Sequence, residues 1–386
     1  MGAERRPQVL VVGAGPGGLA VAACLQRRGI GGVVLERRAS VAASWRDRYD
    51  RLHLHTPRVQ SHLPGYRIPR RYGRWVSRDD MVAYLEAYAQ HHRIVPHFGV
   101  DVERVEPAGP GWHLETSQGR LEGDAVVLAT GCFAVPRVPD WPGLAGYGGH
   151  WLHSSAYRCG ADYAGRDVLV VGTGNTGAEI AVDLVEQGAQ RVRLAVRTPP
   201  HIIPLTVAGI PTTLIGIPNQ FLPPRLADPG NALVQRLTIG DLTAFGLPRP
   251  DHGLVARFRA SDVVPIIDVG LVEQLRSGRV EPIATVTGFD DQSVLLADGT
   301  RLQVDVLIAA TGYRTGLEDL IGHLGVLDEH GRPAVRPGHP HPRAPRLYYV
   351  GLRNPLIGLL NSIRLDAQRV ARAVASDLTV VGRTAA

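Results

Sequence analysis

The chain has 386 residues, of which 44% are hydrophobic and 20% charged, and its formal net charge is +6. These values are typical of a soluble globular protein with two or three domains. All 42 basic residues are arginines, which excludes Schiff-base catalysis and P-loop nucleotide binding, and their scattered pairs lack the interleaved aromatic residues of a nucleic-acid-binding surface.

The N-terminal segment predicts a βαβ unit. A short apolar strand is expected over residues 9–12, followed by a glycine-rich turn over residues 13–18 and an apolar helix over residues 19–26. The next strand, over residues 32–35, ends at Glu36. A glycine turn between a strand and a helix presents free backbone N–H groups and the positive end of the helix dipole to a pyrophosphate.

Each glycine of this turn has its own physical role. Gly13 permits the tight turn, Gly15 lets a pyrophosphate approach the backbone, and Gly18 allows the helix to pack close to the strand. The carboxylate of Glu36 can accept hydrogen bonds from ribose hydroxyls, so the unit is interpreted as a dinucleotide site. Its predicted cofactor-binding residues are Gly13, Gly15, Gly17, Gly18, Glu36 and Arg37.

The same pattern recurs in the middle of the chain. A strand is predicted over residues 168–171, a glycine turn over residues 172–177, a helix over residues 178–186 and a further strand over residues 192–196. This second unit is also interpreted as a dinucleotide site. Its predicted cofactor-binding residues are Gly172, Gly174, Asn175, Thr176 and Gly177.

The strand end of the second unit differs chemically from that of the first. Residues 190–198 contain no acid but three arginines. A carboxylate would repel the 2′-phosphate of NADPH, whereas a guanidinium binds it, so we predict NADPH in preference to NADH. Arg197 is the first candidate for this contact and Arg193 the second, and the alternative is a solvated basic edge.

A further repeat follows each βαβ unit. Residues 124–131 (DAVVLATG) match residues 305–312 (DVLIAATG), and each follows a turn signal, at residues 118–119 and 298–299. Each half is therefore predicted to contain a β-meander and then a strand that ends at a Thr-Gly pair. The cofactor contacts predicted at these two ends are Thr130, Gly131, Thr311, Gly312 and Tyr313.

These patterns predict an α/β protein with two Rossmann-like dinucleotide-binding domains, the second inserted in the first. Residues 1–155 and 313–386 would form the first domain and residues 156–312 the second. Residues 200–265 fit neither half, because they are rich in proline and irregular, with a helix expected over residues 231–239. We interpret them as an insertion that covers the active site, a surface elaboration being the alternative.

The sequence has only three cysteines, and no targeting segment is predicted. Cys24, Cys132 and Cys159 form no CxxC pair and no metal-ligand spacing, which argues against a disulfide reductase and a metal centre. No secretory leader precedes the first strand, so a cytoplasmic location is expected. Residues 202–224 carry no charge, but five prolines interrupt them, and we expect a buried or pocket-lining loop in place of a membrane span.

A segment between the two halves carries a family resemblance. Residues 147–158 (YGGHWLHSSAYR) resemble the FxGxxxHxxxY fingerprint of class B flavin-containing monooxygenases, with Tyr147 in place of Phe. Gly149, His153 and Tyr157 match the fingerprint. Further segments resemble the YUCCA-type members of the family: residues 45–57 (WRDRYDRLHLHTP), 77–89 (SRDDMVAYLEAYA), 239–248 (IGDLTAFGLP), 264–270 (VPIIDVG) and 310–314 (ATGYR).

The resemblance implies a glutathione-reductase-like fold, with FAD at the first glycine turn and NADPH at the second. It also implies O2 as co-substrate. NADPH would reduce FAD, and a flavin hydroperoxide would oxygenate a small molecule at a nitrogen or sulfur atom, or at a carbonyl or α-keto acid. Such chemistry needs a site that excludes water.

The chain departs from the family at two places. Where Baeyer–Villiger members carry Trp-Pro or Trp-Asp, it has Tyr157 followed by Arg158, which argues against a standard ketone-to-ester enzyme. Where many heteroatom-oxidising members carry an asparagine near the flavin, it has Ser77, whose hydroxyl can donate one hydrogen bond. The predicted catalytic-site residues are Ser77, His55 and His153.

The resemblance suggests the remaining contacts. His55 and the preceding Leu54 are expected to face the flavin. Trp45 would pack on the FAD or, alternatively, in the core. Asn361, at the start of the last helix, is expected near the flavin ring.

The leading hypothesis is therefore that the protein is an NADPH- and O2-dependent flavin monooxygenase that oxygenates a small molecule. Secondary metabolism is one process in which it could act. One alternative is an NAD(P)H-dependent flavin reductase of the ferredoxin-reductase type, and another is a flavoprotein that binds or senses without turnover. The reductase needs neither the FxGxxxHxxxY-like segment nor the insertion. The oligomeric state is left open, a homodimer being one option, and no nucleic-acid partner is expected.

Overall fold

The structure, a computed structural model, describes residues 8–219 and 221–384. These residues divide into two compact units. In the described part of the chain, unit 1 contains residues 8–46, 56–135 and 313–384. Unit 2 contains residues 47–55 and 136–312.

Strands form the frame of both units. In chain order they are β1 (Val9–Val12), β2 (Gly32–Glu36), β3 (His97–Phe98), β4 (Val102–Ala108), β5 (Gly111–Thr116), β6 (Gly119–Gly123), β7 (Ala125–Leu128), β8 (Val135–Pro136), β9 (His150–His153), β10 (Asp167–Val171), β11 (Arg191–Val196), β12 (Ile202–Pro204), β13 (Thr206–Val207), β14 (Ile210–Pro211), β15 (Ile266–Asp268), β16 (Val280–Ala284), β17 (Val286–Phe289), β18 (Val294–Leu296), β19 (Arg301–Leu302), β20 (Val306–Ala309), β21 (Tyr313–Arg314) and β22 (Leu347–Tyr349).

Helices connect and cover these strands. They are α1 (Pro16–Gln26), α2 (Ala43–Arg46), α3 (Arg58–Ser61), α4 (Arg78–His91), α5 (Asn175–Glu186), α6 (Thr212–Asn219), α7 (Pro224–Thr238), α8 (Leu254–Ser261), α9 (Leu271–Arg276), α10 (Leu317–Ile321) and α11 (Leu359–Thr384). Within residues 8–219 and 221–384, none of the helices combines the length and the apolar composition that crossing a membrane requires.

Unit 1 is built on a five-stranded parallel sheet with the order β22-β7-β1-β2-β3. β1 lies at its centre, with Val9 opposite Gly32 of β2 and Ala125 of β7, and all of its residues are buried. Parallel sheets are covered on both faces, which explains the continuous apolar run of this strand. The antiparallel meander β4-β5-β6 contributes Trp112 to the core that also contains Leu10.

Unit 2 repeats this architecture. Its parallel sheet has the order β16-β11-β10-β20-β9, and an antiparallel meander is formed by β17, β18 and β19. β10 lies between β11 and β20 as β1 lies between β2 and β7. The duplication predicted from residues 124–131 and 305–312 is confirmed, because β7 and β20 occupy the same place in the two sheets and each ends just before its Thr-Gly pair.

Both glycine turns lead directly into helices. α1 begins at Pro16 and α5 at Asn175, earlier than the predicted starts at residues 19 and 178. The last residues of each turn already form the first helical turn. Pro16 is compatible with this position because the first helical N–H needs no partner within the helix.

The insertion is more regular than predicted. α7 spans Pro224–Thr238, where a helix was expected only over residues 231–239, and it continues through Pro229. Proline removes one hydrogen bond from a helix interior, but packing of α7 against α8 and β12 stabilises the helix. β12 pairs in parallel with β15, which places Ile202 opposite Ile266.

The boundaries between the two units differ from the predicted domain boundaries. β9 pairs in parallel with β20, with Leu152 opposite Ile308, and forms the edge of the unit 2 sheet. Residues 136–155 therefore group with unit 2, although they were expected in the first domain. Residues 47–55 also group with unit 2.

Candidate functional site

The first glycine turn forms an open cradle at the N-terminus of α1. Gly13 has φ +106°, and a Cβ there would lie 2.7 Å from the carbonyl oxygen of Ala129. A Cβ on Gly18 would lie only 1.8 Å from the carbonyl oxygen of Gly13. A Cβ on Gly15, in contrast, would meet nothing within 4 Å. Gly13 and Gly18 thus serve the packing of the turn, whereas Gly15 borders the space that a ligand would occupy.

Polar groups of unit 1 surround this cradle. Glu36 accepts hydrogen bonds from the backbone N–H of Ala14, at 2.8 Å, and of Arg38, at 3.0 Å. The hydroxyl of Thr130 is buried and has no hydrogen-bond partner in the described part of the chain, and the Thr130 backbone nitrogen would lie 3.6 Å from a Cβ on Gly13. An orphan hydroxyl beside an open helix N-terminus fits a dinucleotide. Arg37 is exposed.

The second glycine turn has the same geometry in unit 2. Gly172 has φ +121°, and a Cβ there would lie 2.4 Å from the carbonyl oxygen of Ala310. A Cβ on Gly177 would lie 2.0 Å from the carbonyl oxygen of Gly172, whereas a Cβ on Gly174 would meet nothing within 4 Å. This turn therefore offers a second open helix N-terminus, which fits a second dinucleotide.

The side chain of Asn175, one of the predicted cofactor-binding residues, is engaged within unit 2. Its amide nitrogen donates to the carbonyl oxygen of Pro265 at 3.0 Å, and its amide oxygen accepts from the backbone N–H of Ile267 at 2.8 Å. Both ends of the amide thus hold the C-terminal end of the insertion. The neighbouring Thr176 is half-buried.

Arg197 follows the carboxyl end of β11 and lines a cavity of about 670 Å³ in unit 2. It is exposed, and no carboxylate of the described residues forms an ion pair with it. Its neighbours in the cavity include Pro199 and Thr300. Ligands of parallel sheets bind at the carboxyl ends of the strands, so this position fits the predicted contact with a 2′-phosphate.

Arg193 does not fit that role. It is 5% exposed, and its guanidinium pairs with Asp167 and lies 3.8 Å from Glu281. Arg193 lies opposite Leu169 within the sheet, before the carboxyl end of β11. Because these two carboxylates come from β10 and β16, the sequence around Arg193 does not reveal them.

The YUCCA-like segment over residues 45–57 belongs partly to each unit. Trp45 is half-buried in α2 of unit 1. Leu54 and His55, expected to face the flavin, are half-buried in unit 2, whereas the first glycine turn lies in unit 1.

His55 faces a buried carboxylate that the sequence analysis missed. Its Nε2 lies 2.9 Å from Oε1 of Glu179, although the angle is outside hydrogen-bond geometry. Glu179 is 3% exposed and lies on α5, just after the second glycine turn. Burial and this carboxylate raise the pKa of Tyr49 well above its usual value. α5 also carries Asp183 and Glu186, and the sequence does not show which of its three acids are buried.

A second buried carboxylate on α5 holds the fingerprint segment in place. Asp183 accepts hydrogen bonds from the Tyr157 hydroxyl at 2.6 Å and from the backbone N–H of Gly160 at 2.9 Å. Tyr157 is fully buried, and burial, with the adjacent Asp183, raises its pKa. The tyrosine of the FxGxxxHxxxY-like segment thus attaches that segment to the helix of the second cradle.

His153 is engaged at both ring nitrogens. Its Nδ1 accepts from the backbone N–H of Ser155 at 3.1 Å, so this nitrogen carries no proton. Its Nε2 lies 3.1 Å from the carbonyl oxygen of Gly312 and therefore donates to it. Burial lowers the pKa of His153, which favours this neutral form. The geometry assigns His153 a positioning role at Gly312 instead of the predicted catalytic one.

The neutral state of His153 predicts acid lability. Because its pKa in the folded protein is below the ordinary value near ~6.5, the unfolded chain takes up the proton first as pH falls. The stabilising contribution is complete above that pH and is lost below it. We expect the free energy of unfolding to fall less steeply between pH 7 and 5 in His153→Gln, by up to about 1.4 kcal/mol per pH unit. Urea titrations at several pH values measure this, and equal slopes would contradict it.

Ser77 caps α4. Its hydroxyl accepts from the backbone N–H of Asp80 at 3.1 Å and donates to the Asp80 carboxylate at 2.8 Å. Its single proton is therefore used locally, and the predicted hydrogen bond to the flavin is not supported. The Ser-x-x-Asp spacing is itself a capping signal that was visible in the sequence.

Replacing Ser77 by alanine is expected to lower the free energy of unfolding by about 1 kcal/mol, because the capping hydrogen bond is lost. Ser77→Asn, which retains a capping oxygen, should be nearly neutral. Both variants should keep the wild-type kcat/KM. Denaturant unfolding and steady-state assays measure the two effects, and lost turnover in a fully stable Ser77→Ala variant would restore the catalytic assignment.

The remaining predicted contacts lie at the ends of their strands and helices. The Thr311 hydroxyl donates to the carbonyl oxygen of Arg137, and Tyr313 packs edge-on against Phe133 with ring centroids 5.8 Å apart. Gly131 and Gly312 have positive φ. Asn361 is buried near the start of α11, as expected, and its side-chain oxygen accepts from Arg364.

Comparison with known proteins decides the family. Residues 10–202 match the family model of the pyridine nucleotide-disulphide oxidoreductases. Indole-3-pyruvate monooxygenase YUCCA1 of Oryza sativa subsp. japonica is 38% identical over 333 residues, which cover 84% of this chain and 82% of the relative. The chain belongs to the YUCCA-type flavin monooxygenases. As a YUCCA-type protein it is an oxidoreductase, and the sequence prediction of this family is confirmed.

A second YUCCA-type protein and two solved structures are also similar to this chain. Probable indole-3-pyruvate monooxygenase YUCCA3 of Arabidopsis thaliana is 34% identical over 385 residues, covering 95% of this chain and 86% of the relative. A flavin-containing monooxygenase from Stenotrophomonas maltophilia is 24% identical, covers 96% of this chain and 98% of that chain, and has a TM-score of 0.73. NADP+-bound cyclohexanone monooxygenase from Rhodococcus sp. Phi1 is 21% identical, covers 96% and 85%, and has a TM-score of 0.72. These two structures share the fold.

Proposed function

We propose that this YUCCA-type protein is an NADPH- and O2-dependent flavin monooxygenase that acts on a small α-keto acid. The observation that carries the proposal is the 38% identity to an indole-3-pyruvate monooxygenase over most of both chains. The alternative of a ferredoxin-reductase-type enzyme is not favoured, since the matched relatives are monooxygenases.

Unit 1 is proposed to bind FAD. Gly15 leaves space above the N-terminus of α1 for the pyrophosphate, and Glu36 is held by two backbone N–H groups at the end of β2, where a ribose would bind. The buried Thr130 hydroxyl would gain a partner. Bound FAD, once reduced, supplies the oxygen activation that none of the side chains can provide.

Unit 2 is proposed to bind NADPH. Gly174 leaves the corresponding space above α5, and Arg197 is the exposed cation at the end of β11. No acid follows β11 at the place that Glu36 has in unit 1, and Arg197 can donate to a 2′-phosphate there, although Glu281 and Asp298 also line the cavity.

The α-keto acid substrate is supported by the names of the relatives and by a departure from the Baeyer–Villiger pattern. The fingerprint ends in Tyr157, which is bound to Asp183, and is followed by Arg158 instead of proline or aspartate. Oxygenation at nitrogen or sulfur is the competing reaction. A cytoplasmic location and a homodimer remain expectations, and light scattering after gel filtration tests the second.

The test supplies purified FAD-loaded protein with NADPH, 18O2 and indole-3-pyruvate. The expected reaction consumes one O2 and one NADPH, releases CO2 and water, and places one 18O atom in the carboxyl group of indole-3-acetate. Mass spectrometry of the product and oxygen uptake measure this balance. Oxidation of NADPH with hydrogen peroxide as the only oxygen product, or transfer of electrons to ferredoxin, would contradict the proposal, and an N-oxide or S-oxide from an amine or thioether would favour the competing reaction.

A further inference from the structure

Arg364, near the start of α11 in unit 1, is a half-buried cation without a counter-charge. Its Nε is buried and has no hydrogen-bond partner, and its Nη2 donates to the side-chain oxygen of Asn361 at 2.5 Å. No carboxylate among the described residues forms an ion pair with it. Among the residues that the structure describes, Nη1 has no hydrogen-bond partner, and it is not one of the fully buried atoms, so one corner of the guanidinium is left for a ligand.

The surroundings of Arg364 are positive. Burial lowers the pKa of His62, which follows α3, and the positive charges of Arg364 and Arg67 lower it further. The nearest acid on α11, Asp366, is already engaged, with Ser362 at 2.9 Å and Arg369 at 2.9 Å. Within the described residues, this part of unit 1 therefore has cationic groups that no acid neutralises.

An uncompensated cation in a partly buried position is costly, and an anion that binds there removes the cost. The remaining Nη1 can donate one charge-assisted hydrogen bond to a carboxylate oxygen. Because Asn361 fixes one corner of the guanidinium of Arg364, the group is held in place before a ligand arrives.

The position on α11 connects Arg364 to the ligand edge of unit 1. The chain runs from β22 through Val350 to α11, and Val350 would lie 3.4 Å from a Cβ on Gly17 of the first glycine turn. The pyrophosphate of FAD is assigned to that turn, where backbone N–H groups neutralise it. The anion that Arg364 would bind therefore belongs to another molecule.

We propose that Arg364 recognises the carboxylate of the substrate, with Arg67 adding positive potential. It is a specificity-determining residue that makes the enzyme prefer 2-oxo acids to neutral ketones or esters. This inference rests on the proposed monooxygenase function, from which its test can be separated.

The test compares two probes that differ only in charge, indole-3-pyruvate and its methyl ester, on the FAD-loaded enzyme with NADPH. The wild type is expected to prefer the acid by about 10- to 100-fold in kcat/KM. Arg364→Gln should lose this factor for the acid and leave the ester unchanged, and Arg364→Lys should retain part of the preference. Arg372→Gln is the matched control, since Arg372 is exposed on the same helix and, among the described residues, its side chain bonds only to the backbone carbonyl of Gln368.

Binding measurements separate this inference from the proposed function. The oxidised holoenzyme is titrated with indole-3-acetate and with indole-3-acetamide while the flavin absorbance is recorded. Binding of the acid that is weakened about 10-fold or more in Arg364→Gln, with no change for the amide, supports the role of Arg364 even if the wild type oxygenates neither keto probe. Equal losses for charged and neutral ligands, an unchanged preference, or no selective binding of the acid by the wild type would overturn it.

Discussion

Replacing Gly15 by alanine is expected to give a folded protein that no longer retains FAD, whereas Gly174→Ala should keep the flavin and lose affinity for NADPH. A Cβ at either position meets no protein atom within 4 Å, so neither change disturbs the packing of the turn. Each methyl group enters the space proposed for a pyrophosphate. Forcing such a contact costs about 1–3 kcal/mol, or roughly 10- to 100-fold in affinity.

Flavin absorbance per mole of protein and the KM for NADPH measure the two effects. Gly18→Ala provides the contrast, because its Cβ would lie 1.8 Å from the carbonyl oxygen of Gly13 and the protein should fail to fold. Retention of full flavin content by Gly15→Ala, or loss of flavin from Gly174→Ala, would contradict the assignment of one cofactor to each turn.

The second large effect concerns the choice between NADPH and NADH. Arg197→Ala is expected to raise the KM for NADPH by about 10- to 100-fold and to leave the KM for NADH unchanged, because it removes a charge-assisted hydrogen bond to the 2′-phosphate. The melting temperature should stay at the wild-type value, since Arg197 is exposed and forms no ion pair with a carboxylate in the part of the chain that the structure describes.

Arg193 supplies the matched control for this experiment. It is 5% exposed and pairs with Asp167 and Glu281, so Arg193→Ala should destabilise the fold by roughly 3 kcal/mol. This figure is at the low end for a buried pair because the Glu281 side chain is 46% exposed. The cofactor preference of the variant should be unchanged. A wild type that prefers NADH, or a loss of NADPH preference in Arg193→Ala alone, would refute the assignment of Arg197.

The fold was predictable because its determinants are local. The turns at residues 13–18 and 172–177 need glycine for steric reasons that apply in any protein of this fold, and the apolar runs around them have the length of buried parallel strands. The matching segments at residues 124–131 and 305–312 identified the duplication. The sequence did not reveal that β9 adds to the second sheet, since strand order depends on contacts between distant residues.

The site was predictable only in part, because a side chain's role depends on partners elsewhere in the chain. Arg193 and Arg197 look alike in sequence, and only the carboxylates of Asp167 and Glu281 distinguish them. Ser77 was interpreted through the family although its own Ser-x-x-Asp spacing indicated a helix cap. Glu179 was missed because nothing nearby in sequence shows that α5 turns it towards the interior.

The pairing of β12 with β15 brings the two ends of the insertion together. Its two ends leave and rejoin unit 2 side by side, as Ile202 lies opposite Ile266, and Asn175 fastens the returning end to the adjacent helix. A segment whose ends already meet adds little closure entropy when its length changes. Residues 205–238 can therefore change in length between related enzymes while the parallel sheet stays as it is, whereas Ile239, Leu242 and Leu247 pack in the core of unit 2 and must stay apolar.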